Sequence, residues 1–224
     1  MLIKTEGIYK RYSSTIGDII AINNVSFEVE PKKLTILRGK SGSGKTTLVN
    51  LLGALDYPDE GRIWLEDIEI TSLSNNERDA LRRRKMGFVF QSIALFGGMT
   101  AYENIEFEMR ISGIRGSECE KRVLECLDMV GLSGRAKHLP AELSGGEQQR
   151  VAIARSFSHK PTVIFADEPT AQLDSQMSME IVGIFLELIE KEGVTMVMTT
   201  HDPDIVDFGH HIYTLNDGVL SDEF

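Results

Sequence analysis

The chain has 224 residues, 42% hydrophobic and 26% charged, with a formal net charge of −10. That composition suits one globular core and provides no basic field for general nucleic-acid binding, so no nucleic-acid partner is expected. It has two cysteines, no CxxC pair, and no run near the roughly 18 apolar residues a membrane helix needs. A disulfide or zinc framework is therefore not expected. Met1–Glu6 opens no apolar secretory core, and cytosolic residence is the expectation.

In chain order, apolar β-rich runs predict strands at Leu2–Tyr9, Ala21–Val29 and Leu34–Arg38. A helix over Thr46–Leu55, a strand over Gly61–Leu65, a helix over Asn75–Arg84 and a strand over Met86–Phe90 follow. From Ser92 to His159 the pattern is helical. Ser117 with Glu120 reads as a capping box opening a helix that runs to Val130. Strand signal returns at Val163–Ala166 and Thr195–Thr199, around a helix over Ser175–Glu192. The apolar core strands do not alternate, as expected of strands buried on both faces. The expected fold is α/β: a P-loop NTPase core with a mostly parallel sheet, an N-terminal antiparallel β part and an inserted helical subdomain. Residues 1–91 and 160–224 form the expected nucleotide-binding core, and about 92–159 the helical subdomain, within one domain over 1–224.

Gly39-Lys40-Ser41-Gly42-Ser43-Gly44-Lys45-Thr46 fits the pattern G-x-x-x-x-G-K-[ST] between an apolar strand and a helix. Backbone N–H groups around the glycines can close on phosphate oxygens, Lys45 can neutralise the β and γ phosphates, and Thr46 offers a hydroxyl to Mg²⁺. The following helix aims its N-terminal dipole at the same anion, with Thr47 in its first turn. Val163–Ala166 ends in Asp167-Glu168, two carboxylates at the ligand edge of a parallel strand. Asp167 would hold Mg²⁺ and Glu168 would polarise the attacking water as general base.

Leu143-Ser144-Gly145-Gly146-Glu147-Gln148-Gln149-Arg150 resembles the signature sequence of the ATP-binding cassette (ABC) family. On the residues alone, Ser144 caps its own helix. The resemblance implies that Ser144, Gly145, Gly146 and Glu147 also meet the γ-phosphate of ATP held by a second copy. It extends over the whole chain. Tyr12 stands where the family places an aromatic on adenine, with a core tyrosine as the alternative. Gln91 matches the glutamine that reaches Mg²⁺ and the attacking water, Asp174 the D-loop aspartate at the dimer interface, and His201 the switch histidine on the γ-phosphate. The implied protein is an ATPase, ATP and Mg²⁺ its ligands. It would work as a head-to-tail dimer, peripheral on the cytoplasmic face of the membrane. An integral permease would dock near residues 92–102.

Gly53–Pro58, Arg84–Gln91 and Thr200–Pro203 resemble the group that contains the macrolide exporters (MacB), the lipoprotein-releasing ATPases (LolD) and the cell-division ATPase FtsE. This implies export or extraction of a peptide, lipid-linked or drug-like substrate. The alternative is a mechanotransmitting ATPase that moves none. Gln172, Lys32-Lys33 and the segment Leu95–Thr100 depart from the family pattern without removing a catalytic group.

Overall fold

A computed structural model of the chain describes residues 1–14 and 17–223. The chain divides into two compact units, Met1–Arg82 with Thr195–Phe224, and Arg83–Val194.

The first unit opens with an antiparallel sheet. Strand β1 (Ile3–Ser14) pairs with β2 (Gly17–Val25), β3 (Glu28–Val29) and β5 (Glu60–Leu65), and β6 (Ile68–Glu69) adds to β5. Ile3, Thr5 and Ile8 of β1 turn inward and Lys4 and Glu6 outward, the alternation of a sheet with one wet face. The strand predicted over Ala21–Val29 breaks into β2 and β3, and β1 runs past Tyr9 to Ser14, which puts Tyr12 on a strand.

A second set of strands belongs to the parallel core. Strand β4 (Leu34–Arg38) lies between β9 (Thr195–Thr200) and β10 (His211–Asn216), parallel to both, and β11 (Val219–Glu223) returns antiparallel on β10. Every residue of β9 is buried, as are Leu34, Thr35, Ile36 and Leu37 of β4. Helix α1 (Lys45–Leu52) follows β4 and stops sooner than the sequence predicts. Gly53 ends it and Ala54 turns left-handed with φ 56°. Helix α2 (Asn75–Lys85) and the short α7 (Pro203–Val206) also begin in this unit.

The second unit is built on β7 (Met86–Val89) and β8 (Val163–Asp167), parallel in register from Met86 on Val163 to Val89 on Ala166. Between them in sequence lie α3 (Ala101–Ile111), α4 (Ser117–Met129) and α5 (Gly145–Phe157), which pack on one another, and α6 (Ser175–Glu192) follows β8. Cys119, Val123, Cys126 and Leu127 form the buried stripe of α4 at helical spacing. Arg122 on the same helix is buried without being orphaned. It donates to the carbonyls of Ser158 and Phe157 at the end of α5, and to both carboxylate oxygens of Glu192 at 2.9 and 3.1 Å.

The capping box predicted at Ser117 is absent. Gly116, with φ 71°, turns the chain into α4 and occupies the N-cap, so Ser117 is already helical and its hydroxyl caps nothing. Glu118 and Glu120 in the first turn supply the negative charge that a helix start favours. The box instead occurs at Thr100 with Glu103 on α3 and at Ser144 with Glu147 on α5.

Candidate functional site

Residues 39–44 connect β4 to α1 in the first unit. Gly44 is obligatory there. Its φ is 104°, and a Cβ would lie 2.3 Å from the carbonyl oxygen of Ala21. Lys45 is buried, and its ammonium donates to the carbonyls of Gly39 at 2.8 Å and Lys40 at 3.2 Å. The Ser43 hydroxyl is buried and has no hydrogen-bond partner among the described residues. No side chain caps the start of α1, and no acidic residue stands in its first turn. A buried ammonium, an unsatisfied hydroxyl and an uncapped helix N-terminus together suit a polyphosphate. Ser41, Gly42 and Thr46 are exposed around them, and Thr47 is half-buried.

Tyr12 is 42% exposed, so it is a surface residue of β1 and not a core tyrosine. Its hydroxyl donates to Asp56 at 2.9 Å and also meets Thr47, on the helix that follows the phosphate loop. Lys10 bonds the same Asp56 and stands 5.1 Å from the Tyr12 ring centre. Burial and the Asp56 carboxylate raise the phenol pKa, so the ring stays neutral and held from its far end. His201 follows the last residue of β9 and is exposed, and Asp202 behind it caps α7.

In the second unit, β8 delivers Asp167, 9% exposed, and then Glu168, which turns left-handed with φ 44°. The Ala171 N–H closes that turn on the Glu168 carbonyl at 3.2 Å. Asp174 caps α6, accepting from the Met177 N–H at 2.9 Å. Gln91, just past β7, is exposed. Beyond it Phe96 is 44% exposed, packs edge-on against Phe107 and faces the Arg155 guanidinium. Ile93 and Leu95 are half-buried.

Ser144 caps α5 as its sequence suggests. Its hydroxyl accepts from the Glu147 N–H at 3.3 Å, and the Glu147 carboxylate accepts from the Ser144 N–H at 2.8 Å. That backbone bond and Arg135 at 2.9 Å hold the Glu147 carboxyl below its usual range. Ser144 and Gly145 are exposed, whereas Gly146 is buried.

Three residues of these surroundings have no role in the sequence reading. Asp56 anchors Tyr12. Asn104, fully buried, knits the segment after Gln91 by accepting from the Phe96 N–H and donating to the carbonyls of Phe96, Met99 and Thr100. Gln149, also buried, donates to the Pro169 carbonyl at 2.8 Å. A polar residue on the inner stripe of an amphipathic helix is the signal that could have singled out the last two. Among the described residues no group of three or more His, Cys, Asp or Glu side chains could hold a metal. A hydroxyl, an amide and a carboxylate oxygen, as Thr46, Gln91 and Asp167 each carry, are hard donors of the kind that Mg²⁺ takes beside phosphate and water.

Residues 22–171 match the family model for the ABC transporter. A solved dimeric structure of the ATP-binding cassette MJ0796, a protein of Methanocaldococcus jannaschii, in a post-hydrolysis state bound to ADP and Pi, superposes with a TM-score of 0.90. It is 38% identical, and the match covers 99% of this chain and 98% of that one. The lipoprotein-releasing system ATP-binding protein LolD of Hyphomonas neptunium is 38% identical over 96% of this chain and 95% of its own length. The macrolide export ATP-binding/permease protein MacB of Syntrophobacter fumaroxidans is 40% identical over 99% of this chain, which spans 31% of that protein.

Proposed function

This chain belongs to the ABC transporter family and is one of its ATPases, and from that premise we propose that it powers export or extraction by a membrane permease, on a peptide, lipid-linked or drug-like substrate. The observation that carries ATP binding is the phosphate loop, with its buried Lys45 ammonium and the unsatisfied Ser43 hydroxyl at the start of α1. Tyr12, held by Asp56, would stack on adenine. Gly39 to Thr47 would wrap the phosphates, and Lys45 would neutralise them. Thr46, Asp167 and Gln91 would hold Mg²⁺, which neutralises charge on the β and γ phosphates.

Glu168 takes the proton of the attacking water, and His201 donates to the γ-phosphate oxygen. Ser144, Gly145 and Gly146 of a second copy, with Glu147 fixing the turn, close the same phosphate from the other side, and Asp174 lies at that interface. Phosphoryl transfer depends on positioning and charge neutralisation, so only the closed head-to-tail pair is competent. The dimeric MJ0796 cassette supports this assembly. The names of MacB and LolD support export or release as the coupled work.

No helix among the described residues is long and apolar enough to cross a membrane. The chain would sit on the cytoplasmic face through a permease, docked near residues 92–102, where Phe96 is exposed. The test is steady-state hydrolysis beside nucleotide binding. Wild type hydrolyses Mg²⁺-ATP, and Glu168→Gln keeps its ATP affinity while turnover falls about 10²- to 10⁴-fold. Equal loss of binding and turnover would assign Glu168 another role.

A further inference from the structure

Gln149 lies one turn into α5, 2% exposed, and its side-chain amide donates to the carbonyl of Pro169 at 2.8 Å. Pro169 directly follows Glu168, whose φ of 44° is a region that side-chain-bearing residues occupy only when their surroundings hold them there. Bonds on this turn come from two directions: the Ala171 N–H on the Glu168 carbonyl, from within the loop, and the Gln149 amide on the next carbonyl, from α5. Proline offers no N–H, so the Pro169 carbonyl is that residue's one backbone hydrogen-bonding group.

The same helix touches the far end of the loop. Gly146 lies against the Met177 side chain of α6, whose methyl would come 1.5 Å from a Cβ there. Met177 in turn donates its N–H to Asp174. The first turns of α5 thus bond the stretch from Glu168 to Met177 at Pro169 and touch it at the Met177 side chain.

We propose that Gln149 is a positioning residue for Glu168, a clamp that makes the signature helix and the catalytic carboxylate of one chain move together. The proposal rests on Glu168 acting as general base and α5 as the contact to the partner's ATP. On that reading the clamp links the two sites of the pair. A γ-phosphate met by Ser144 shifts α5, and α5 carries the shift through Gln149 to the glutamate serving the chain's own ATP.

Gln149→Leu keeps the volume and removes the donor. It should lower kcat about tenfold, the loss of one buried hydrogen bond from the competent geometry, with KM for ATP within about twofold. Added to Glu168→Gln it should slow turnover no further, because the clamp acts only through that carboxylate.

Gln149→Glu gives a readout that packing alone would not move. Protonated, the new carboxyl donates an O–H to the Pro169 carbonyl. Ionised, it sets charge against oxygen. Its kcat relative to wild type should therefore rise as pH falls, while the ratio for Gln149→Leu stays flat. A wild-type kcat in Gln149→Leu beside an inactive Glu168→Gln would overturn the clamp alone, as would a loss confined to KM or a flat ratio for Gln149→Glu. Wild-type turnover in Glu168→Gln would instead remove the reading on which the clamp rests.

Discussion

The Lys45 ammonium donates to the Gly39 carbonyl at 2.8 Å, across the loop whose far end Lys45 itself begins. With its second bond, to the Lys40 carbonyl, the lysine is oriented by the loop it serves. A compact ammonium can hold those carbonyls and still present a proton to phosphate. A planar guanidinium cannot do so in the same space.

Lys45→Ala and Lys45→Arg should both therefore lose ATP affinity. The expected loss is about 10- to 100-fold for alanine, one charge-assisted contact. Titration calorimetry with ATP measures it, and circular dichroism checks that the fold persists. An arginine variant with wild-type affinity would show that charge alone matters and that the carbonyl bonds are incidental.

Much of this site was legible because its signals are local. The phosphate loop needs glycines and a lysine within a few residues. The predicted span of α6, Ser175–Glu192, holds residue for residue, with Asp174 capping its start and Gly193 turning left-handed at its end. What sequence could not supply is non-local or shared between alternatives. Ser117 satisfies the capping-box spacing, but Gly116 with its left-handed φ moves the helix start by one position. The run Ala21–Val29 reads as one strand because nothing local shows that β1 pairs with Val25 in one sheet arm and Val29 in another. The link from Gln149 to Pro169 spans twenty residues of sequence, and Asn104 is polar on an inward stripe for reasons visible only once the loop around it is folded.

Cys126 gives a pH dependence with a definite sign. Burial pushes its thiol up to about 12 from an ordinary 9.0. Between those values the unfolded chain has released the proton and the folded chain retains it. Folding stability is thus at its full value below pH 9 and declines as pH rises towards 12. At about pH 10 the decline attributable to this thiol is about 1 kcal/mol. Urea denaturation at neutral pH and at about pH 10 should show wild type losing that much more than Cys126→Ala. Identical losses in the two proteins would mean that the thiol is not held neutral by the fold.

The last prediction concerns why two copies are needed. Each chain carries a net charge of −10, so two copies repel, and wild type turning over ATP should be mainly monomeric. Glu168→Gln with Mg²⁺-ATP should trap a pair of twice 25.0 kDa, with nucleotide between the phosphate loop of one chain and Ser144 of the other. Adding Ser144→Arg should abolish that pair. Ser144 is exposed at the start of α5, so the arginine has room in the monomer but stands where the γ-phosphate must meet the helix N-terminus. The substitution removes only the Ser144 hydroxyl from the capping box. The return bond from Glu147 uses the Ser144 backbone N–H and survives, so the cost to the helix is about 1 kcal/mol. Ser144→Ala, which costs the helix the same without the obstruction, is the control and should still pair through the helix N–H groups, though less tightly than Glu168→Gln alone. ATP binding by the monomer should be retained in all three, because Lys45 and the rest of the phosphate loop are untouched. Size-exclusion chromatography with light scattering, with and without ATP, reads the outcome. A Glu168→Gln/Ser144→Arg variant that still pairs on ATP would refute the role of Ser144 across the interface, and with it this reason for needing a second copy.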